Sequence, residues 1–127
     1  MPKKPTRSKL VKKLDTVFSQ WVRLSNADSK GYCTCITCNK ESHWKEIQAG
    51  HFQSRKHYSI RWSELNVFPQ CVGCNVFRYG EQYKYSLFLG KDAAEVLYLK
   101  SKEIVKFSNN DLEDMINDYS QRLKKLT

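Results

Sequence analysis

The chain has no apolar run long enough to span a membrane, and no apolar stretch follows its charged start as a secretory leader requires. Low-complexity segments and internal repeats are also missing, so the chain reads as an ordinary folded protein. Negative charge is scarce: 13 Asp and Glu stand against 22 Lys and Arg, for a formal charge of +9. That imbalance favours a polyanionic partner, with nucleic acid ahead of charge that merely keeps the protein soluble. Without leader or membrane span, the expected location is cytoplasmic. There, paired cysteines serve more often as metal ligands or free thiols than as disulfides.

What is present is enough for one domain over 1–127. The chain is 40% hydrophobic and 13% aromatic, sufficient for a modest core that benefits from a staple. Residues 1–9 form a basic arm, and six early cations (Lys3, Lys4, Arg7, Lys9, Lys12, Lys13) are an import tag, a DNA-contacting arm or a solvated helix face. Charge alone does not separate these. Leu10, Leu14, Val17, Phe18 and Trp21 recur at helical spacing and predict a first helix from about Ser8 to Ser25.

From Tyr32 to Asn75 helical periodicity disappears. "HWKEIQAGHF" reads as two short strands or a bent hairpin, and "NVFPQC" as a strand leading into a cysteine pair. Helix then returns. "EQYKYSLFL" predicts a short helix ended by Gly90, with Tyr83 and Leu87 as core, and "DAAEVLYLKSKEIV" a second from near Asp92. Ser108 and Asp111 resemble a capping box for a last helix that buries Leu112, Met115, Ile116, Tyr119, Leu123 and Leu126. The expected organisation is a motif core over 32–80 followed by C-terminal helices over 81–127.

Cys35-Ile-Thr-Cys38 and Cys71-Val-Gly-Cys74 are two C-x-x-C knuckles with 32 residues between them. Such spacing lets both thiolates of a knuckle reach one ion, and four thiolates satisfy tetrahedral zinc with no open position. The site is therefore structural, ahead of disulfides or a redox pair, which needs only one knuckle. Cys33 in "CTC" blurs the first knuckle. Cys35 restores the spacing, which leaves Cys33 as a small buried hydrophobe.

A purely structural clamp does not need what lies inside it. His51, Asn66 and Asn75 follow in order, with Arg55, Lys56, His57 and Arg61 adding charge. The arrangement resembles the HNH, or His-metal finger, nuclease core: an α+β fold with two short strands and a helix around one divalent ion, enclosed here by terminal helices. The stretches "GYCTCITCNK", "HWKEIQAGHFQSRKH", "RWSELNVFPQCVGCN" and "GEQYKYSLFL" resemble the lambdoid phage NinG (Rap) recombination proteins, from about Leu14 to the C-terminus. The zinc-clamped arrangement is also similar to that of phage T4 endonuclease VII.

The resemblance implies a phage or prophage protein in a bacterial host, associated with cutting branched DNA such as Holliday junctions during recombination. It implies His51 as the general base, Asn66 as the residue that orients the histidine or its loop, and Asn75 as a ligand for magnesium or manganese. Many HNH nucleases place an aspartate just before the histidine, where this chain has Gly50. Glu64 or Glu46 is then left to supply the carboxylate, with Glu64 preferred because it lies beside Asn66. Arg55 is a candidate phosphate clamp, equally read as general phosphate attraction, and Arg61 a support for the strand. His43 and His57 read as solvated. The aromatic-basic run "FRYGEQYKY" suggests stacking on unpaired bases, although core packing fits its helical spacing better.

The expectation is thus an endodeoxyribonuclease with structural zinc, catalytic magnesium or manganese, branched DNA as partner, no membrane association and a homodimer to cut a junction symmetrically. Its rivals are an inactive zinc-containing DNA-binding module, a less selective HNH nicking endonuclease and a zinc-stabilised protein adaptor.

Overall fold

The two most strongly periodic stretches of the sequence lie near its two ends, and each has only one face to bury. The computed structural model describes residues 4–127, so Lys3 of the basic arm lies outside the described residues. Helix α1 spans Arg7–Ser25, started by Thr6, whose hydroxyl accepts from the Lys9 amide. Helix α4 spans Asn109–Leu126, and the capping box is present: Ser108 Oγ accepts from Asp111 N at 3.0 Å, and Asp111 returns the bond to Ser108 N at 2.9 Å.

The Arg7 side chain bonds the Phe107 carbonyl at one end, and Phe18 meets Tyr119 edge-on at 4.9 Å further along. The two helices therefore run side by side in the same direction. Leu10, Leu14, Val17, Phe18 and Val22 pack with Leu112, Ile116 and Tyr119, and Trp62 and Val67 close the far side. Trp21 lies only half-buried at this seam, and Leu126 is exposed.

Two small antiparallel sheets lie between these helices in sequence. Strand β1 (Tyr32–Thr34) pairs with β2 (Glu41–His43), and β3 (Gln48–His51) pairs with β4 (Val67–Gln70), placing Gly50 opposite Phe68 and His51 opposite Val67. "HWKEIQAGHF" thus holds the last residue of β2, a turn and β3, and the two strands pair with different partners. Ala49 of β3 packs on the α1–α4 core, which fixes α1 beside the strand carrying His51.

After β4 the structure departs from expectation. Helical pattern, expected to return after Asn75, begins instead as a single π-helical turn, Gly73–Phe77, and regular helix resumes only with α2 (Gln82–Leu89). Cys74 must turn back towards the other cysteines, and Tyr79, Gly80 and Glu81 all hold positive φ, so the chain cannot continue as α-helix. Gly90, at φ 90°, separates α2 from α3 (Lys91–Ser101), which stops short of the expected "KEIV".

Helix α2 also buries a different side from the one expected. Tyr85 is fully buried against Phe52, Ile60 and Leu97, while Tyr83 and Leu87 face solvent. The helix is apolar on both sides, so periodicity alone does not say which one points inward.

Candidate functional site

Sulfur chemistry sets the frame. Cys35, Cys38, Cys71 and Cys74 place their Sγ atoms within 4.8 Å of one another. A tetrahedral zinc with bonds of about 2.3 Å sets its sulfurs about 3.8 Å apart, and Cys38 and Cys71 are 3.6 Å apart, far beyond a disulfide bond. The four cysteines can therefore hold a structural metal such as zinc.

Donors converge on the cluster. The Cys74 amide points at Cys71 Sγ at 3.4 Å, and Arg78 Nη2 lies 3.3 Å from Cys74 Sγ. Burial opposes ionisation of Cys35, yet hydrogen bonds from Thr37 and nearby amides pull its thiol down to about 6, while burial and its sulfur neighbours push Cys38 up to about 12. One thiol ionises at the expense of another, and a divalent cation is the group that lets all four be thiolates. Cys33 stays out of the cluster. It is buried, and its thiol donates to the Arg23 carbonyl.

The clamp fixes the end of β4, and with it the π-turn that carries Asn75. An open cavity of about 610 Å³ lies beside this turn, walled by α1, the β2–β3 turn and β3. His51, Asn75 and Arg55 all line it. His51 Nε2 lies 2.9 Å from the Arg61 carbonyl. A carbonyl only accepts, so Nε2 carries the proton and Nδ1 keeps a free lone pair. Burial lowers the His51 pKa from its ordinary value. The charges of Arg55 and Arg61 add to this, while the Arg61 carbonyl and Asp15 oppose it. The ring is thus held as a neutral base.

Asn66 does not line the cavity. It is fully buried, accepts from Gln53 N at 2.8 Å, and donates to the carbonyls of Gln53 and Ile60 at 2.9 and 3.2 Å. It therefore ties down both ends of the loop that follows His51. Asn75 donates to Gln48 Oε1 at 2.8 Å, and its own carboxamide oxygen takes no protein hydrogen bond among the described residues.

Glu64 is elsewhere. It sits on a short 3-10 turn, Glu64–Asn66, that aims Asn66 inward and Glu64 outward onto α4, where Arg122 and Tyr119 donate to it at 2.6 and 3.1 Å. Closeness to Asn66 in sequence does not carry Glu64 to the site. Glu46 does line the cavity, exposed and without an ion pair among the described residues.

Gly50 cannot be replaced by the aspartate of the wider pattern. A Cβ there would lie 1.9 Å from Gln70 Oε1, a side chain fully buried and held by Thr37 and Gly80. A second carboxylate reaches the cavity from α1. Asp15 lines the same cavity and accepts from Arg61 Nε at 3.0 Å, Arg61 Nη2 at 2.5 Å and Trp62 Nε1 at 3.0 Å, with Arg55 Nη1 at 3.7 Å. Asp15 escapes sequence reading because it lies on a helix whose apolar stripe already accounts for its neighbours. No local signal ties it to a loop 46 residues on.

The assembled groups are a neutral imidazole, cations at Arg23, Lys45 and Arg55 that suit an anion, and oxygen donors at Glu46 and Asn75. Such a set can take a proton from water beside a bound phosphate. Among the described residues no other three His, Cys, Asp or Glu groups converge as the four cysteines do, and no helix is long and apolar enough to cross a membrane. A family model described as "Bacteriophage Lambda NinG protein" matches residues 3–127. No curated protein and no solved structure matches the chain.

Proposed function

Starting from the fact that the chain belongs to the bacteriophage lambda NinG family, we propose that it is a metal-dependent endodeoxyribonuclease acting on branched DNA such as Holliday junctions. The observation that carries this is His51: its Nε2 is committed to the Arg61 carbonyl, so Nδ1 is the basic atom in a cavity rimmed by cations.

In the proposed reaction His51 Nδ1 takes a proton from water, the water oxygen bonds to phosphorus, and one phosphoester bond breaks; the departing alkoxide takes a proton from solvent, leaving a phosphate monoester and an alcohol. Arg55 holds a non-bridging oxygen while the loop closed by Asn66 keeps His51 in place. Asn75 and Glu46 are the oxygen donors that would hold magnesium or manganese, with phosphate and water completing the shell, and the ion would neutralise charge on the phosphate and leaving oxygen. Glu46 takes the part first expected of Glu64, whose carboxylate is spent on α4.

The test is cleavage of a four-way junction and a matched linear duplex with magnesium or manganese, comparing wild type with His51→Ala at equal zinc content. Preferential cutting of the junction by wild type, with the variant binding but not cutting, is expected. Binding without cutting by both proteins would leave a zinc-containing DNA-binding module. Equal cutting of both substrates would leave a less selective nickase.

A further inference from the structure

The segment from Val76 to Phe88 presents an apolar surface that the fold does not use. Tyr79 is 89% exposed, and Phe77 and Tyr83 are 75% exposed, so the three most exposed of its large hydrophobic side chains are all aromatic. Leu87 extends the surface along the outer side of α2. A short helix that is apolar on both sides has one side satisfied by the core and one left over.

This is not a loose loop. On its inner side Tyr85 is buried and donates to the Gly50 carbonyl at 2.7 Å, directly beneath the strand that carries His51. Gln70 donates to the Gly80 carbonyl at 2.9 Å, and the Gly80 amide bonds the Cys74 carbonyl at 2.8 Å. Two non-glycine residues in the turn, Tyr79 at φ 53° and Glu81 at φ 48°, hold left-handed backbone. Such conformations are uncommon and persist where surrounding structure over-determines them. The metal clamp and the buried Gln70 thus hold Tyr79 outward, four residues from Asn75 in the cavity wall.

We propose that the exposed rings of Phe77, Tyr79 and Tyr83, on the turn and helix that follow cavity-lining Asn75, form a ledge that stacks on unpaired bases of a nucleic acid. The inference rests on the nuclease reading and adds how an open or branched strand would be recognised. A chain of charge +9 recruits nucleic acid in any form. Within the ledge itself, Glu81 lies 3.5 and 3.7 Å from Arg78 and Lys84 and offsets one of their two charges. The ledge therefore offers three ring faces beside a small positive charge. Ring faces are reached by bases that are unstacked, and every base has one.

The experiment measures binding by the zinc-loaded protein without magnesium or manganese, so that cutting plays no part. Full-length wild type and the variant Phe77→Ala/Tyr79→Ala/Tyr83→Ala are titrated by fluorescence anisotropy, at one salt concentration, against a labelled single strand and a fully paired hairpin of equal length. The three side chains are solvent-exposed, and zinc content and circular dichroism confirm that the variant folds. The variant should lose about tenfold affinity for each base stacked on the single strand, with the hairpin affected little. A Phe77/Tyr79→Phe/Tyr83→Phe version, which keeps the rings, should bind like wild type. Equal losses on both probes, or no loss on either, would overturn the proposal. So would wild-type self-association that disappears in the variant, which would make the ledge a face between copies of the chain. Wild type that binds the single strand through the ledge yet cuts nothing would sink the nuclease reading and leave the ledge standing.

Discussion

One oxygen of Gln70 accounts for glycine at position 50. Any Cβ would meet Gln70 Oε1, a buried atom with no hydrogen-bond partner among the described residues. Gly50→Asp should therefore destabilise the fold by about 1–3 kcal/mol or more through overpacking and an added buried charge. Urea unfolding measures this, and no gain in cleavage should accompany it. At His51 the lowered pKa has a definite sign. Only the neutral ring accepts a proton, so activity falls as pH drops through the folded-state value, which lies below the ordinary one near 6.5. The acidic limb of kcat/KM should show its midpoint there. Asp15→Asn removes a carboxylate that favours the imidazolium and should move that limb lower still. A limb that moved up would contradict this electrostatic account.

At the scale of elements, the clamp dominates. Structural zinc binding is worth about 10–16 kcal/mol in small metal-folded domains, comparable to or above the 5–15 kcal/mol that holds most domains together. Stripping the metal with a chelator, or replacing Cys71 by Ser, should unfold the segment from β1 through the π-turn, with loss of circular dichroism tracking loss of zinc. Asn66→Ala leaves the backbone groups of Gln53 and the Ile60 carbonyl without their partner and should cost about 1–3 kcal/mol. Thermal unfolding would show it.

These elements also show what was legible in the sequence. The cysteine knuckles, the terminal helices and the cap at Ser108 are local patterns, carried by spacing over a few residues. His51 and Asn75 stand out because nothing structural requires them inside a clamp. Asp15 and the Glu46 side of the cavity are products of tertiary packing, set by how α1 lies on β3, which no local pattern records. Spacing points to Tyr83 as core, whereas Tyr85 is the residue buried, because a helix apolar on both sides carries no periodic signal. The π-turn was read as ordinary helix because its departure follows from the direction Cys74 must face.

For the whole molecule, charge is the first concern. A groove of about 650 Å³ runs along the outer side of α1 and α4, bordered by Lys9, Lys12, Lys13 and Lys124 with no carboxylate side chain among its lining residues. An isologous dimer through that groove would set lysines against lysines. A homodimer through that groove is therefore expected to assemble on junction DNA rather than free in solution. Sedimentation velocity with and without a four-way junction decides it, and a stable dimer without DNA would refute the expectation. DNA affinity should also fall steeply with salt, its logarithmic slope reporting the number of phosphates contacted.

The pairing of α1 with α4 has a consequence for synthesis. Arg7 meets Phe107, 100 residues later in the chain. As the chain leaves the ribosome, the cysteine clamp can close on its metal once Cys74 has emerged, whereas the apolar face of α1 waits for the last helix. During that interval Leu10, Leu14 and Phe18 lack the α4 face and have only Trp62, Val67, Ala49 and Tyr58 to lean on. A chain stalled or cut before α4 would hold its metal and still be sticky, inviting chaperones or aggregation. Helices α1 and α4 thus act as a late latch, closed only once α4 has emerged.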